Sequence, residues 1–335
     1  MKVALIGSGS WGTALALVLK SNKHEVKCWT IEQSTIDNIR DKGENTRYLP
    51  GVKIPDNIIF TDNLYDAAHD AEIIVNSVPS QITRSVAPKV CEVLDFKDQV
   101  WVTVAKGIEN NTYLRISEVI NQTANIPLEK IVALSGPSHA EEVARNIPTA
   151  IVSSSVNLES ARIIQDLFMT PYFRVYASPD IIGVELGGAL KNIVALAAGI
   201  CDGAGYGDNT KAALMTRGLV EISRLGIELG AQSDTFAGLS GMGDLIVTCM
   251  SRHSRNRFVG EQIGKGRKLD DILGEMVQVA EGVKTTLSAY EISKNRNVEM
   301  PITEQIYLTL FENKAPMEAM YDLMTRASKI EDWGS

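Results

Sequence analysis

The sequence contains little cysteine and little histidine, with four residues of each. The cysteines, Cys28, Cys91, Cys201 and Cys249, form no C-x-x-C pair, which argues against a zinc ribbon, a thioredoxin-like redox site and a disulfide framework. We therefore expect reduced and mostly buried thiols. The spacing of His, Cys and Asp residues does not indicate a metal, and no metal site is predicted.

Long apolar runs are also lacking. The run Ile193–Ala198 falls far short of the ~20 apolar residues that a membrane-spanning helix needs. The N-terminal run Val3–Ile6 is shorter than the apolar region of a secretory signal, which has about 7–15 residues. These observations predict a cytoplasmic protein without membrane insertion.

The chain has no excess of positive charge. Lys and Arg number 33 and Asp and Glu number 41, which gives a net charge of −8 and argues against nucleic-acid binding. The composition is that of a globular protein, with 44% hydrophobic and 22% charged residues. A length of 335 residues corresponds to about two domains.

The first half of the chain alternates short apolar runs with helical patterns. Continuous Val and Ile runs are typical of strands that helices cover on both faces, and the alternation predicts a right-handed, doubly wound parallel sheet of the Rossmann type. The predicted strands are Val3–Gly7, Glu25–Thr30, Glu72–Val78, Val100–Ala105, Ile131–Ser135 and Ala150–Ser153.

Helical patterns replace the strand patterns from about Pro179 onward. We therefore predict a dinucleotide-binding domain at 1–178 and an all-helical substrate-binding domain at 179–335. The predicted helices of the second domain are Ile181–Ile200, Thr210–Leu229, Arg257–Lys265 and Thr285–Lys294.

A glycine-rich segment follows the first predicted strand. Residues 7–12, Gly-Ser-Gly-Ser-Trp-Gly, fit the G-x-G-x-x-G pattern and precede a helical run at Thr13–Lys20. In this pattern Gly7 permits the tight turn, Gly9 lets the backbone approach a pyrophosphate, and Gly12 allows close packing of helix and strand. The context indicates a dinucleotide site, and the alternative is a plain glycine turn.

Glu32 stands where a dinucleotide-binding fold often carries the acid that binds the adenine ribose. A carboxylate there accepts hydrogen bonds from ribose hydroxyls and repels a 2′-phosphate. No Lys or Arg accompanies Glu32 in this turn, so NAD is favoured over NADP. The alternative is that Glu32 is a solvated loop charge.

Two lysines are candidates for work on the substrate. Lys106 follows a predicted buried strand, and the alternative is a surface lysine. Lys191 lies on a helix face with Gly187 and other small residues, which predicts close packing and a lowered lysine pKa suited to proton transfer. The alternative is a lysine that merely pairs with Glu185 or another carboxylate. His139 is a further candidate acid.

The segment Ser251–Arg257 contains three arginines, together with serine and asparagine. Such a set of donors suits a phosphate dianion, and a solvated basic turn is the alternative. Asp244 ends the sequence Gly241-Met242-Gly243-Asp244, shortly before this segment, and could orient a lysine ammonium or a substrate hydroxyl.

Taken together, these motifs resemble the NAD(P)-dependent glycerol-3-phosphate dehydrogenases of the bacterial type over nearly the whole chain. Seven segments carry the resemblance: GSGSWGTALA at 7–16, AKGIE at 105–109, SGPSHA at 135–140, ELGGALKN at 185–192, GLSGMGDL at 238–245, SRNR at 254–257 and VAEG at 279–282.

The resemblance implies reversible reduction of dihydroxyacetone phosphate to sn-glycerol 3-phosphate, which supplies glycerophospholipid synthesis. It also implies a C-terminal domain like that of 6-phosphogluconate dehydrogenase, and it raises the expectation of a homodimer. Lys191 would donate and accept the proton, with Lys106 and Asp244 beside it. The implied substrate contacts are Lys106, Gly136, Ser138, Lys191, Asp244, Ser254, Arg255 and Asn256. The implied cofactor contacts are Ser10, Trp11, Lys106, Ala140, Arg255, Val279 and Glu281, in addition to Gly7, Gly9, Gly12 and Glu32.

Two departures from the family pattern affect these expectations. Relatives often carry His or Arg just after the second strand, where this chain has Thr30-Ile31-Glu32, which again favours NAD. The position of His139 is commonly aromatic in relatives, so His139 is withdrawn as the acid. Two alternatives remain: a dehydrogenase of this build for a 6-phosphogluconate-type or ketopantoate-type acid, and a nucleotide-sensing regulator without turnover.

Overall fold

The computed structural model describes residues 1–95, 98–328, 330 and 331, and divides the chain into two compact units. The first contains residues 1–105 and 116–181, and the second contains residues 106–115 and those from 182 onward. The segment 106–115 lies within the first of the two domains predicted from the sequence, but it groups with the second unit. The division at residue 178 stays a prediction.

An eight-stranded sheet forms the centre of the first unit, in the order β3-β2-β1-β4-β5-β6-β7-β8. Every neighbouring pair is parallel except β6 and β7, which are antiparallel. The strands are β1 (Lys2–Ile6), β2 (Glu25–Trp29), β3 (Ile59–Thr61), β4 (Ile73–Asn76), β5 (Val100–Thr103), β6 (Ile131–Ser135), β7 (Thr149–Ser154) and β8 (Phe173–Ser178).

Helices cover this sheet, and two apolar clusters lie within the unit. Alternate residues of β1 enter different clusters, Val3 and Leu5 one and Ala4 and Ile6 the other, as the two-residue period of a strand requires. The helices are α1 (Ser10–Ser21), α2 (Gln33–Lys42), α3 (Leu64–Ala68), α4 (Thr83–Glu92), α5 (Ile116–Ala124), α6 (Ala140–Val143) and α7 (Leu158–Phe168). The predicted Rossmann-type α/β fold is confirmed, with one antiparallel strand pair added to it.

The second unit is helical and contains no strand among its described residues. Its helices are α8 (Ile181–Gly203), α9 (Asp208–Glu228), α10 (Ser233–Ala237), α11 (Asp244–Met250), α12 (Arg255–Gly264), α13 (Leu269–Glu275), α14 (Glu281–Arg296), α15 (Pro301–Phe311) and α16 (Pro316–Met324). The all-helical character predicted for the C-terminal part is confirmed.

Helix α8 forms the centre of the second unit's core. It is long and apolar enough to cross a membrane by length and composition, but 94% of its most apolar window is buried in the protein. Its glycines allow contact between backbones: a Cβ on Gly199 would overlap the Arg257 carbonyl oxygen, and one on Gly260 of α12 would overlap that of Leu196. The backbones of α8 and α12 therefore touch where only glycine fits.

Candidate active site

The glycine-rich segment of the first unit lies between β1 and α1. Gly7 has a φ of +104°, which favours glycine, and a Cβ on Gly12 would overlap the Gly7 carbonyl oxygen. A Cβ on Gly9 would meet nothing within 4 Å. The first and third glycines are thus required by the turn and by the packing, whereas the second faces open space.

The start of α1 has the donors that a pyrophosphate needs. Gly9 precedes the helix and has no side chain that could cap it, so the N–H groups of the first turn stay open to an anion. Ser8 Oγ and Trp11 Nε1 are buried and have no hydrogen-bond partner among the described residues. A helix start that follows a glycine-rich turn and carries no side-chain cap suits the phosphates of a dinucleotide.

A loop that sequence reasoning did not include is attached to this glycine-rich segment. Asn45 Nδ2 donates to the Ser8 carbonyl oxygen and to Thr13 Oγ1, both at 2.9 Å. Ser10 Oγ donates to the Tyr48 carbonyl oxygen at 2.5 Å. These bonds hold residues 45–48 beside the start of α1.

The same loop reaches Glu32, which directly precedes α2. The Tyr48 hydroxyl donates to Glu32 Oε1 at 2.5 Å, and Thr35 Oγ1 donates to Oε2 at 3.0 Å. Arg47 Nη1 lies 3.6 Å from Oε2. Burial, followed by the Glu32 carboxylate, raises the pKa of Tyr48 to about 12, so its hydroxyl stays protonated. Glu32 is therefore part of a hydrogen-bonded cluster.

The remaining predicted residues of the first unit follow β6. Gly136 has a φ of +146°, and a Cβ there would lie 2.9 Å from Ile151 Cα. Ser138 Oγ donates to the Gly136 carbonyl oxygen at 2.9 Å, and Ala140 begins α6 directly after His139. The tight turn places backbone and hydroxyl groups at the end of a buried strand.

The second unit brings Lys106, Lys191 and Asp244 together. Lys106 Nζ lies 2.7 Å from Asp244 Oδ2, and Lys191 Nζ lies 2.8 Å from Asp244 Oδ1. Asp244 is 1% exposed and Lys191 4% exposed. Two ammonium groups around one carboxylate leave one net positive charge at a buried position.

Burial and charge act in opposite directions on Lys191. Burial lowers its pKa to about 8, although the Asp244 carboxylate raises it, and the Lys106 ammonium adds to the lowering. For Asp244, burial raises the pKa, but the ammonium groups of Lys106 and Lys191 outweigh burial and hold the pKa below its ordinary value. At neutral pH the pair therefore consists of a protonated lysine and an ionised carboxylate, and the lysine gives up its proton readily.

Two further residues complete this cluster. Lys191 Nζ donates to Thr248 Oγ1 at 2.6 Å, while the Thr248 hydroxyl donates to the Asp244 carbonyl oxygen at 2.6 Å. Asn192 Nδ2 donates to the Lys106 carbonyl oxygen at 3.0 Å. Sequence reasoning assigned neither residue a role, although Thr248 lies one helical turn beyond Asp244 and Asn192 directly follows Lys191.

The segment 106–115 is attached to the helices that carry the other site residues. Arg115 Nη1 lies 2.6 Å from Glu185 Oε2 of α8, and Asn110 Nδ2 donates to Ser288 Oγ of α14 at 2.8 Å. Glu185 therefore pairs with Arg115, whereas Lys191 pairs with Asp244. The packing predicted for the small-residue face of α8 is present at Gly187, where a Cβ would lie 2.7 Å from the Ser240 carbonyl oxygen.

The arginine-rich segment lies at the start of α12. Ser254 caps this helix by accepting the Arg257 N–H, and Asn256 Oδ1 accepts the N–H of Gly282 at 2.9 Å. The starts of α12 and α14 are thereby joined. Exposed Arg255 donates to the Val279 carbonyl oxygen at 3.2 Å. Val279 lies two residues before Glu281, the first residue of α14.

The arginines of this segment are not equivalent. Arg257 Nη2 lies 2.5 Å from Asp202 Oδ2, and Nη1 lies 3.6 Å from Glu261 Oε2. Arg257 is therefore paired with two acids of the helical unit, whereas Arg255 is exposed at the start of α12. Across the described ranges, no group of three or more His, Cys, Asp or Glu side chains could hold a metal ion.

The sequence matches two family models along most of its length. The model of the NAD-dependent glycerol-3-phosphate dehydrogenase N-terminus matches residues 2–161, and that of the C-terminus matches residues 180–321. The chain belongs to this family. The resemblance inferred from the motifs is confirmed.

Individual glycerol-3-phosphate dehydrogenases are similar to nearly the whole chain. An NAD(P)+ enzyme of this name from Geobacillus kaustophilus is 54% identical over 330 residues, which cover 98% of this chain and 96% of that relative. The crystal structure of a glycerol-3-phosphate dehydrogenase from Coxiella burnetii has a TM-score of 0.92 and 35% identity, covering 97% of this chain and 99% of that chain. A ketopantoate reductase from Ralstonia eutropha, at 13% identity and a TM-score of 0.60 over 96% of this chain and all of that one (100%), shares the fold alone.

Proposed function

We propose that this protein interconverts dihydroxyacetone phosphate and sn-glycerol 3-phosphate, with NAD(P)H as hydride donor. The observation that carries the proposal is the buried cluster of Lys106, Lys191 and Asp244 in a chain of this family. Reduction of a ketone creates negative charge on its oxygen, and a preorganised ammonium stabilises that charge. The net positive charge of the cluster suits both the developing alkoxide and a phosphorylated substrate.

Lys191 is the proposed proton donor. Asp244 and Thr248 occupy two of the three N–H groups of its ammonium, which leaves one for the substrate oxygen. A pKa of about 8 lets the lysine release a proton to the alkoxide and recover it in the reverse reaction. Asp244 holds the ammonium in place, and Lys106 contributes the second positive charge.

The substrate phosphate is assigned to the start of α12. Arg255 is its proposed partner, and Ser254 and Asn256 flank it at a helix N-terminus, where an anion is favoured. Gly136 and Ser138 are further substrate contacts in the proposal, as the family resemblance implies.

The cofactor supplies the hydride. The glycine-rich segment Gly7–Gly12, with Ser10 and Trp11, would hold its pyrophosphate at the start of α1, and Glu32 would meet the adenine ribose. The further proposed cofactor contacts are Lys106, Ala140, Arg255, Val279 and Glu281.

The cellular setting forms part of the same proposal. A cytoplasmic enzyme without membrane insertion would supply glycerol 3-phosphate to glycerophospholipid synthesis. A homodimer is proposed from the family resemblance.

The test is oxidation of NADH and NADPH, followed by absorbance, with dihydroxyacetone phosphate as substrate. Substrate-dependent turnover is expected. Ketopantoate is the comparison substrate in this direction, and 6-phosphogluconate, a hydroxy acid, is the comparison substrate in the reverse direction with NAD+ or NADP+. Turnover of a comparison substrate alone would replace the assigned substrate. Cofactor binding without turnover of any of them would favour a nucleotide sensor.

A further inference from the structure

The first unit places a positive charge beside Glu32 that the sequence around β2 does not provide. No Lys or Arg lies between Lys27 and Arg40, and Lys27 Nζ is paired with Asp70 at 3.0 Å. Arg47, fifteen residues beyond Glu32, brings Nη1 to 3.6 Å from Glu32 Oε2. A carboxylate and a guanidinium therefore stand together just beyond the end of β2, where a Rossmann fold meets the adenine ribose.

The position of Arg47 follows from how its loop is attached. Asn45 is fully buried and binds the Ser8 carbonyl oxygen and Thr13 Oγ1, and Ser10 binds the carbonyl oxygen of Tyr48. The residues on either side of Arg47 are thus fixed to the glycine-rich segment. The backbone of Arg47 therefore keeps the same distance from the glycine-rich segment, and from any dinucleotide bound to that segment.

The side chain of Arg47 has a second contact besides the carboxylate. Its guanidinium lies over the Tyr48 ring, 5.4 Å from the ring centroid, in cation–π geometry. The Tyr48 hydroxyl binds the other oxygen of Glu32. The Arg47 side chain is nevertheless 45% exposed, so the guanidinium can leave one partner for another without breaking a buried contact.

We propose that Arg47 is the specificity-determining residue at the ribose 2′ position, where it pairs with the 2′-phosphate of NADP(H). Glu32 accepts the 2′-hydroxyl of NAD(H) in the same place. This inference rests on the proposed use of a nicotinamide dinucleotide. A lone Glu32 would repel a 2′-phosphate, but the charge of the neighbouring guanidinium offsets that repulsion. A guanidinium also binds phosphate through two parallel hydrogen bonds. One acid and one base at this position admit both cofactors.

The test is a pair of binding titrations without substrate, in which the fluorescence of NADPH and of NADH reports their binding to the protein. In Arg47→Ala we expect NADPH binding to weaken by about tenfold or more, since a charge-assisted contact with phosphate is lost, with little change for NADH. Arg47→Lys should fall between, because it keeps the charge but loses the bidentate geometry. Glu32→Gln should shift the ratio the other way, toward NADPH.

Arg40→Ala is the matched control, since it removes the same charge from an exposed arginine that pairs with Asp37 and Asp41 on α2. It should leave the NADPH-to-NADH affinity ratio unchanged. Equal weakening of both cofactors in Arg47→Ala, or of neither, would overturn the assignment of Arg47. Failure of the proposed reaction would look different: the wild-type protein would bind the cofactors but would not oxidise them with dihydroxyacetone phosphate.

Discussion

At the scale of single residues, the proposed chemistry depends on a lysine that is both buried and paired. Burial alone would drive Lys191 toward the neutral form, in which it could not donate a proton. Asp244 opposes this effect, and Thr248 fixes the direction of the ammonium. The result is a lysine that is charged at neutral pH yet close to losing its proton.

Replacement of Lys191 by Ala should lower kcat for dihydroxyacetone phosphate reduction by about 10²- to 10⁴-fold, the usual contribution of a general acid. NADH binding, measured by fluorescence, should stay intact. Lys265→Ala is the control, because Lys265 is a half-exposed lysine that pairs with Glu261 on the surface of α12. Substantial residual turnover in Lys191→Ala would remove this residue from the acid role.

The rate of ketone reduction should depend on pH through the same lysine. Reduction needs protonated Lys191, so kcat/KM should fall as pH rises through about 8, and the reverse oxidation should rise over the same range. In Asp244→Asn the falling limb should move to lower pH, because the carboxylate that raises the lysine pKa is gone. A pH profile with no limb near 8 in the wild type, or one that stays in place in the variant, would argue against this coupling.

Residues with a motif around them could be predicted from the sequence, and residues without one could not. Lys106, Lys191 and Asp244 lie in family motifs, and the structure brings their side chains together. For Thr248, the only indication in the sequence was its spacing of four residues from Asp244, which places both on one face of a helix. Arg47 gave none, because its approach to Glu32 depends on a loop whose attachment is tertiary.

At the scale of elements, glycine determines how closely the helices of the second unit approach. Gly199 and Gly203 on α8 face α12, while Gly260 and Gly264 on α12 face α8. At each position a Cβ would overlap a backbone carbonyl oxygen of the other helix. This contact fixes α12, whose first turn carries Arg255, against the helix that carries Lys191.

Gly260→Ala should therefore lower the free energy of unfolding by about 1–3 kcal/mol, as overpacking of a core does. The control is Gly274→Ala on α13, where a Cβ meets nothing within 4 Å. That variant should be more stable than the wild type by about 0.5–1 kcal/mol, because alanine favours the helix. Urea unfolding of the three proteins measures both effects, and equal stabilities for the two variants would contradict the close packing of α8 and α12.

A buried carboxylate joins two other helices of the same unit. Glu221 on α9 accepts the backbone N–H groups of Ile302 at 2.6 Å and Thr303 at 3.1 Å, at the start of α15. Burial raises the pKa of Glu221 to about 7, although these hydrogen bonds act in the opposite direction. The folded protein thus holds a proton that the unfolded chain has already released at pH 5 or 6.

Stability should fall with pH because of this group. Its contribution is fully present below the ordinary glutamate pKa of 4.5 and is lost as pH rises through about 7. The wild type should lose stability relative to Glu221→Gln over this range, with a slope of at most about 1.4 kcal/mol per pH unit. Urea unfolding from pH 4.5 to 8 measures the difference between the two proteins, in which other titrations cancel. A constant difference across that range would contradict the raised pKa.

The strands β3 and β8 were not predicted, because neither shows a clear apolar strand pattern in the sequence. β3 has only three residues, and none is fully buried. β8 alternates buried and exposed residues over its first four positions, as a strand at a sheet edge does, whereas the central strands β4 and β6 are buried at every residue. The antiparallel placement of β7 was also beyond prediction, because strand direction depends on the path of the connecting chain.

At the scale of the whole molecule, the chain enters the second unit twice. It does so first at residues 106–115, after which it returns to the first unit, and again from residue 182 onward. Residues 106–115 group with the helical unit, although α/β segments precede and follow them. Lys106 is thereby supplied to the helical unit by the part of the chain that continues from β5. A single domain boundary, such as the one predicted at residue 178, cannot describe this arrangement. Local sequence patterns do not show which hydrophobic core a connecting segment packs against.

A deuterium label shows whether the hydride passes from the cofactor to C2 of the substrate. The protein is incubated with dihydroxyacetone phosphate and reduced nicotinamide dinucleotide carrying deuterium at both C4 positions, and the product is analysed by NMR and mass spectrometry. We expect sn-glycerol 3-phosphate with a single deuterium at C2. Unlabelled glycerol 3-phosphate, or complete recovery of the ketone under conditions where the cofactor is bound, would contradict it.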